Sequence, residues 1–225
     1  MRTEDFSPSY VGERRDVQKL VLPTARSVLD VGCSTGAMGA AIKQRLGARV
    51  VGIEMSERMA EVASQRLDQV FVGDVVRVFL EGQLRNWRFD TIIFADVLEH
   101  LVDPWTLLLE AREYLEPDGV VIASLPNVKH WDTMANLVFK DYWPYRERGI
   151  HDRTHLRFFA RRNVRELFEH AGFRIEKTRA RYRIIERPHR LNRYARLLAI
   201  PGLRGFLAFQ YIVRARRKEG ILRPR

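Results

Sequence analysis

The sequence predicts an α/β fold, a doubly wound parallel sheet with helices on both faces. Through the first half of the chain, short apolar runs alternate with stretches of helical character. Strands alternating with helices imply βαβ crossovers, and those cover both faces of a parallel sheet. The turns between them carry capping residues at the expected places. Of the 225 residues, 46% are hydrophobic, enough for a sizeable core in a single domain.

Taken in order, Ser27–Val31 reads as the first strand, and Ala37–Leu46 as the helix after a glycine turn. Arg49–Ile53 follows as a strand, then helix Glu57–Leu67, with Ser56 placed to cap it. Gln69–Val72 and Phe89–Phe94 read as strands around a helix at Val75–Leu84. Asp103–Pro104 sets a cap before a proline at the first position of helix Pro104–Leu115, and Val120–Ser124 is the fifth strand. Asn127–Ile150 has no clear period and, within residues 126–160, is expected to form a lid and acceptor region. Arg161–Ala171 reads as a helix closed by Gly172, and Phe173–Ile184 as a strand. Arg187–Arg204 is read as a basic helical insert broken at Pro201–Gly202, and Phe206–Arg214 as a seventh strand. The last two strands are placed to pair antiparallel at the sheet edge. Residues 1–26 are expected to cap the domain, with Tyr10 and Arg14 closing one side of the site.

The single cysteine, Cys33, excludes a disulfide within the monomer, and MRTEDFSPSY lacks a basic-then-apolar leader. Both favour a cytoplasmic setting. Charge is divided unevenly. Residues 1–125 hold 14 Lys/Arg against 19 Asp/Glu, and residues 126–225 hold 25 against 9. The basic half attracts something anionic without specifying what.

The loop SVLDVGCSTGAMG, Ser27 to Gly39, resembles a dinucleotide-binding loop, but Ser34 stands at its second glycine and Asp30 two places before its first. A pyrophosphate needs the clearance that Ser34 removes, and is repelled by Asp30. S-adenosylmethionine has no phosphate and carries an ammonium that a carboxylate favours. Glu54, 22 positions beyond Gly32, is placed to accept ribose hydroxyls, and Asp74 to accept from an adenine amino group. Each acid alone is equally well read as a turn or cap residue. The ordered set with the glycine loop favours the cofactor.

LDVGCSTG, VVGIE, VGDV, FDTIIFADVLEHL and LEPDGVVIASLPN resemble the successive motifs of class I S-adenosylmethionine-dependent methyltransferases, over about Val28 to Phe173. The resemblance implies a Rossmann-like seven-stranded sheet of order 3-2-1-4-5-7-6 with strand 7 antiparallel. It also implies cofactor contacts at Asp30, Gly32, Cys33, Gly36, Glu54, Met55, Asp74, Val75 and Ala95.

Methyl transfer to a hydroxyl requires that a proton leave, so a base or a metal is sought. Asp96, Glu99 and His100 form a DxxEH pattern resembling the metal-binding ExxEH of some ubiquinone-pathway and RNA-end methyltransferases, with one glutamate missing. No metal site is assigned on this basis: His100 is a catalytic candidate with Asp96, or a scaffold for the turn it occupies. GIHDRTHLRFF, Gly149–Phe159, resembles a stretch of bacterial methyltransferases associated with polysaccharides and sugars. That resemblance implies Asp152 and Arg157 as substrate-positioning residues and His155 as the base; hydrogen bonding of His155 to a backbone turn is the plainer reading. Tyr145, among the aromatics of DYWPYRERG, is a further substrate candidate, with a lid as the alternative.

The leading expectation is O-methylation of a sugar hydroxyl in a glycan, glycolipid or nucleotide sugar. LPNVKHW and THLRFFARRNVRELFEHAGFRI also resemble MetW-like proteins, which implies a non-catalytic partner of a methionine-biosynthesis enzyme as the alternative. Nucleic acid is disfavoured as acceptor, since no NPPY-type tetrapeptide is present. Arg190, Arg193 and Arg196 recur at helical spacing with Leu191, Tyr194 and Leu198. That pattern fits peripheral contact with the inner face of an anionic membrane, or packing on the domain with a solvated basic face. The sequence fixes no oligomeric state.

Overall fold

A computed structural model of the chain describes residues 12–218. Its elements run α1 (Arg15–Gln18), β1 (Ser27–Val31), α2 (Ala37–Leu46), β2 (Arg49–Glu54), α3 (Glu57–Ser64) and β3 (Gln69–Val72). They continue with α4 (Val75–Leu80), β4 (Phe89–Ala95), a 3₁₀ turn at Leu98–His100, α5 (Pro104–Ala111), and β5 (Leu115–Pro126). The second half adds α6 (Trp131–Lys140), α7 (Arg161–His170), β6 (Phe173–Tyr182), α8 (Ala195–Leu198), α9 (Arg204–Leu207) and β7 (Ala208–Arg217).

The seven strands form one sheet in the order β3-β2-β1-β4-β5-β7-β6. β1 pairs in parallel with both β2 and β4, and β5 with β4; β7 runs antiparallel to β5 and β6. The order reverses beside β1, and in such sheets the crevice at the strands' carboxyl ends, at that switch point, is where ligands bind. Both faces are buried. Leu29 and Val31 of β1, with Ile92 and Phe94 of β4, join the core beneath α4, α5 and α7. Val28 and Ile93, one residue out of phase, join the opposite core with Met38 and Ile42 of α2. This two-residue alternation explains why these strands read as unbroken apolar runs.

Local chemistry sets the ends of the elements. Ser56 Oγ accepts from Met59 N–H at 3.4 Å, and Asp103 Oδ1 from Thr106 N–H at 3.0 Å. α3 and α4 end earlier than their apolar periodicity predicts, at Ser64 and Leu80; behind α4, Gly82 turns the chain at φ +69°. β5 begins at Leu115, so the predicted helix over residues 104–115 stops at Ala111 and continues only as a 3₁₀ turn.

Two differences lie in the second half. α6 falls in the stretch without apparent period, because two of the residues it buries, Thr133 and Asn136, are polar while Leu137, Val138 and Phe139 are exposed. The segment between β6 and β7 is helical only in pieces: a 3₁₀ turn at Arg190–Tyr194, then α8 and α9. The turn through Pro201 and Gly202 separates α8 from α9, and Phe206 lies in α9 rather than in the last strand. Tyr10 lies outside the described residues. Among those described, no helix is long and apolar enough to cross a membrane.

Candidate active site

The loop after β1 is built on left-handed backbone. Gly32, Ser34 and Gly36 have φ of +69°, +52° and +74°. Ser34 therefore keeps the conformation that glycine would supply, against a cost of about 1–2 kcal/mol for an L-residue. Its N–H donates to Glu54 Oε2 at 2.8 Å, a charge-assisted bond that offsets this cost. Glu54 Oε1 accepts from Ser56 N–H at 2.9 Å, so one carboxylate at the end of β2 ties the glycine loop to the start of α3. Gly32 allows close approach, since a Cβ there would lie 2.8 Å from Val97 Cγ2.

Asp30 is fully buried on the α2 side of the sheet, and neither carboxylate oxygen has a hydrogen-bond partner among the described residues. The Gly39 N–H lies near it but outside hydrogen-bond geometry. Burial, reinforced by the Glu54 carboxylate, pushes Asp30 up to about 7, with Arg14 pulling the other way. An orphaned carboxylate beside a second acid fits a cation and rejects phosphate. Cys33 is buried, and that burial, with Asp30 and Glu54 nearby, pushes its thiol far above the ordinary range. It is held as an apolar filler, with a Cβ on Gly52 meeting its Sγ at 2.5 Å.

Asp74 caps α4: its Oδ1 accepts from the N–H groups of Val76 at 2.9 Å and Arg77 at 3.2 Å. The cap engages one of its two oxygens. Asp74 also lines a cleft of about 400 Å³ shared with Val76, His100, Val102, Asp103 and Thr106. Met55 is 74% exposed, and Val75 and Ala95 are half-buried at neighbouring strand and helix ends.

Beyond β4, Asp96 sits at φ +60° and both its oxygens are engaged. Oδ1 accepts from Ser124 Oγ at 2.8 Å and from the Gln210 amide, and Oδ2 pairs with the Arg14 guanidinium. Arg14 also reaches Ser124 Oγ at 3.1 Å and Asp16 at 3.1 Å. The network pins the N-terminal segment against β5 and β7. Ser124 and Gln210 belong to it without any signal in the sequence, because their partners are 28 and 114 residues away.

The next turn brings three ligating groups together. Glu99, His100 and His155 each offer an atom within 4.8 Å of the others. Glu99 is 1% exposed and its Oε2 has no hydrogen-bond partner among the described residues. Burial and the nearby Asp96 hold its carboxyl well above the usual range. His155 Nδ1 lies 3.1 Å from Ile150 O, and His100 Nδ1 3.3 Å from Thr154 O. A carbonyl can only accept, so His155 Nδ1 donates to Ile150 O. His100 Nδ1 also lies 3.0 Å from Thr154 Oγ, whose own proton goes to Asp152 Oδ1, so this nitrogen too donates. The two rings meet edge to face, 4.7 Å apart. The DxxEH spacing marks Glu99 and His100; His155 arrives from a segment 55 residues beyond His100, which no spacing reveals.

The substrate candidates lie in more ordinary settings. Asp152 Oδ1 accepts from Thr154 N–H at 2.9 Å and Thr154 Oγ at 2.6 Å. Arg157 donates through Nε to Val102 O at 3.0 Å, which holds its segment to the turn after β4. Tyr145 is 70% exposed.

A second cluster, unmarked in the sequence, joins residues 132–151 to Glu186. Glu186 pairs with Arg146, accepts from Ile150 N–H at 2.6 Å and faces His151 Nδ1 at 3.3 Å. Arg146 reaches Asp132 at 3.0 Å. Burial and Arg146 lower His151 to about 4, so it stays neutral, with Nε2 3.0 Å from Thr133 Oγ.

A profile of the methyltransferase domain matches residues 11–178. The chain belongs to the methyltransferase-domain family. It is 33% identical over 109 residues to a ubiquinone biosynthesis O-methyltransferase of Actinobacillus pleuropneumoniae, covering 45% of this chain and 46% of that one. It is 32% identical over 129 residues to the enzyme so named in Cereibacter sphaeroides, covering 56% and 51%. The chain thus spans about half the length of these curated relatives. A SAM-dependent methyltransferase from Thermotoga maritima superposes with a TM-score of 0.61 at 20% identity, covering 93% and 89% of the two chains. The plantazolicin methyltransferase BpumL in complex with a monoazolic desmethylPZN analog and SAH does so at 0.58 and 17%, covering 87% and 77%. The fold of this family member is therefore that of S-adenosylmethionine-dependent methyltransferases, with the strand order that the sequence motifs imply.

Proposed function

We propose that this chain transfers the methyl group of S-adenosylmethionine to a hydroxyl of a small-molecule acceptor. The observation that carries this reading is the single crevice edge shared by the acid-lined glycine loop, Asp74 and the Glu99–His100–His155 cluster. Asp30 and Glu54 fit the cationic amino-acid portion and the ribose, and Asp74 and the cleft wall fit the adenine. When bound, the cofactor supplies an electrophilic methyl on a sulfonium; the new O–C bond forms as the C–S bond breaks, leaving a thioether. His155 Nε2 takes the hydroxyl proton, with its ring oriented by the Ile150 carbonyl. Asp96, saturated by Arg14, Ser124 and Gln210, positions the wall of the pocket rather than accepting the proton.

A second reading of the same cluster is a divalent cation held by Glu99, His100 and His155. Its support is the orphaned buried Glu99 oxygen beside two imidazoles whose Nδ1 protons are given to oxygens of Thr154 and Ile150, an arrangement common around metal-ligating histidines. A metal there would lower the acceptor's hydroxyl pKa and relieve the buried acid.

For the acceptor, the likeness of Gly149–Phe159 supports a sugar hydroxyl, whereas the ubiquinone-biosynthesis relatives support a hydroxyl in that pathway. The test is transfer of labelled methyl from S-adenosylmethionine to panels of nucleotide sugars, glycolipids and hydroxylated quinone precursors, with Mn²⁺, Zn²⁺ or chelator. Product in one panel assigns the class, and loss with chelator restored by Mn²⁺ or Zn²⁺ assigns the metal. Cofactor binding with no product in any panel, together with a stoichiometric acyltransferase partner, would instead support the non-catalytic, MetW-like reading.

A further inference from the structure

The segment between β6 and β7 is exposed and apolar where most loops are polar. Leu191 is 46% exposed, Leu197 75%, Leu198 51%, Ile200 54% and Leu203 52%. Scattered single leucines on a surface need no explanation, but five within thirteen residues form a patch that does. Ala195, fully buried, anchors the piece to the domain, so the exposed side chains are held by a fixed base. The arginines of the same segment, Arg187, Arg190, Arg193, Arg196 and Arg204, are interleaved with these residues along the chain. From Arg187 through Lys218 the chain contains no Asp or Glu.

We propose that this segment is a docking surface for an anionic lipid bilayer. Leucine and isoleucine can enter the acyl boundary, while arginines reach phosphate head groups from its rim, keeping their charge at the interface. Charge complementarity selects this occupant. A second copy of the chain would bring two sets of five arginines together with no carboxylate from the segment between them. A nucleic acid would pair with the arginines but leave the aliphatic side chains in water.

The fold places the patch usefully. β6 runs antiparallel to β7 and β7 antiparallel to β5, so β6 ends, and β7 begins, at the same carboxyl edge that carries Asp30, Glu54 and Asp96. Pro126, at the end of β5, pairs with Gln210, which in turn donates to Asp96. Both ends of the segment are fixed there: Trp131 Nε1 donates to Ile184 O at 2.5 Å, and Asn127 Nδ2 to Gly205 O at 2.9 Å. A membrane on this patch therefore lies on the side of the molecule where the crevice opens.

The inference does not depend on methyl transfer, and its test is binding alone. The full chain is floated with vesicles of phosphatidylcholine, with and without 30% phosphatidylglycerol, at low and at high salt, beside L197D/I200D and R190E/R193E/R196E variants. Cofactor-induced thermal stabilisation in each variant reports an intact domain. Flotation is expected only with anionic vesicles, falling at least tenfold in each variant; each basic residue near such a surface contributes about fivefold in partitioning. Absence of flotation, or equal flotation on neutral vesicles, overturns the proposal. So does a sedimenting dimer abolished by L197D/I200D, which would assign the patch to a second copy. RNA binding lost in the arginine variant while its flotation persists would likewise overturn it.

Discussion

Asp30→Asn is the substitution that most directly tests the acid-lined loop. In the folded chain the Asp30 carboxyl is pushed from an ordinary 3.8 up to about 7. Between those values the folded state holds a proton that the unfolded chain has released, so stability falls as pH rises through that window and stays reduced above 7. The gap of roughly three pH units corresponds to about 4 kcal/mol at ~1.36 kcal/mol per unit. For a chain of this length that is a shift of about 10 °C in Tm. Asn removes the titration but keeps the shape, and its amide adds a pH-independent offset, so the quantity to read is the slope. Glu99 also titrates high, which is why the measurement is the difference between wild type and D30N by denaturant unfolding from pH 4 to 8. The variant is expected to gain on the wild type by several kcal/mol across that range. With S-adenosylmethionine added at pH 7.5, the wild type is stabilised and D30N much less so, because the ammonium loses its carboxylate. A difference that does not change with pH would refute the buried, unpartnered state of Asp30, and equal stabilisation by the cofactor would remove it from the site.

Other substitutions test other parts of the site and its support. Gly36→Ala puts a Cβ 3.1 Å from Ala63 Cα at φ +74°, where L-residues are strained; a loss of about 1–3 kcal/mol and of the cofactor-induced Tm shift is expected, and an unchanged shift would free the loop of that constraint. His155→Gln is expected to reduce turnover by about 10²–10⁴-fold while leaving cofactor affinity, measured by calorimetry, unchanged. Affinity and turnover falling together would make His155 a scaffold. Glu186→Ala strips the Ile150 N–H of its acceptor and leaves Arg146 paired with Asp132 alone, and is expected to cost about 1–3 kcal/mol in urea unfolding; a cost below about 0.5 kcal/mol would show the cluster to be dispensable.

The first half of the chain was legible because its signals are local. Strands buried on both faces are continuous apolar runs, and Ser56 and Asp103 act within a turn of their own position. The acids at the ends of β1, β2 and β3 follow from where those strands stop. Helix α6 was not legible, since it buries Thr133 and Asn136 and exposes Val138 and Phe139, inverting the pattern that reveals a helix. The polar networks were hidden for a different reason: Arg14 with Asp96 and Gln210, and Glu186 with Arg146 and His151, join residues that only the sheet order brings together. Ser34 shows the reverse case. It departs from the glycine pattern in sequence but not in backbone, because the Glu54 carboxylate holds its N–H in the left-handed turn.

On the two proposals above, the division of charge along the chain corresponds to a division of labour across the carboxyl edge of the sheet. Residues 1–125 carry a net −5 and contribute Asp30, Glu54 and Asp74, groups suited to a ligand that is cationic at sulfur and nitrogen. Residues 126–225 carry a net +16, and the β6–β7 segment presents its arginines at the edge where those acids end. An anionic bilayer would be attracted to one part of this edge and repelled by the other, which orients the molecule as well as binding it. On the same proposals, replacing the loop acids by bases is expected to cost binding of the cofactor's ammonium, and replacing the arginines by acids to cost binding to the surface. Dipolar charge at one edge is thus what a methyl donor without phosphate and an anionic surface would jointly require, and neither requirement alone accounts for both halves of the sequence.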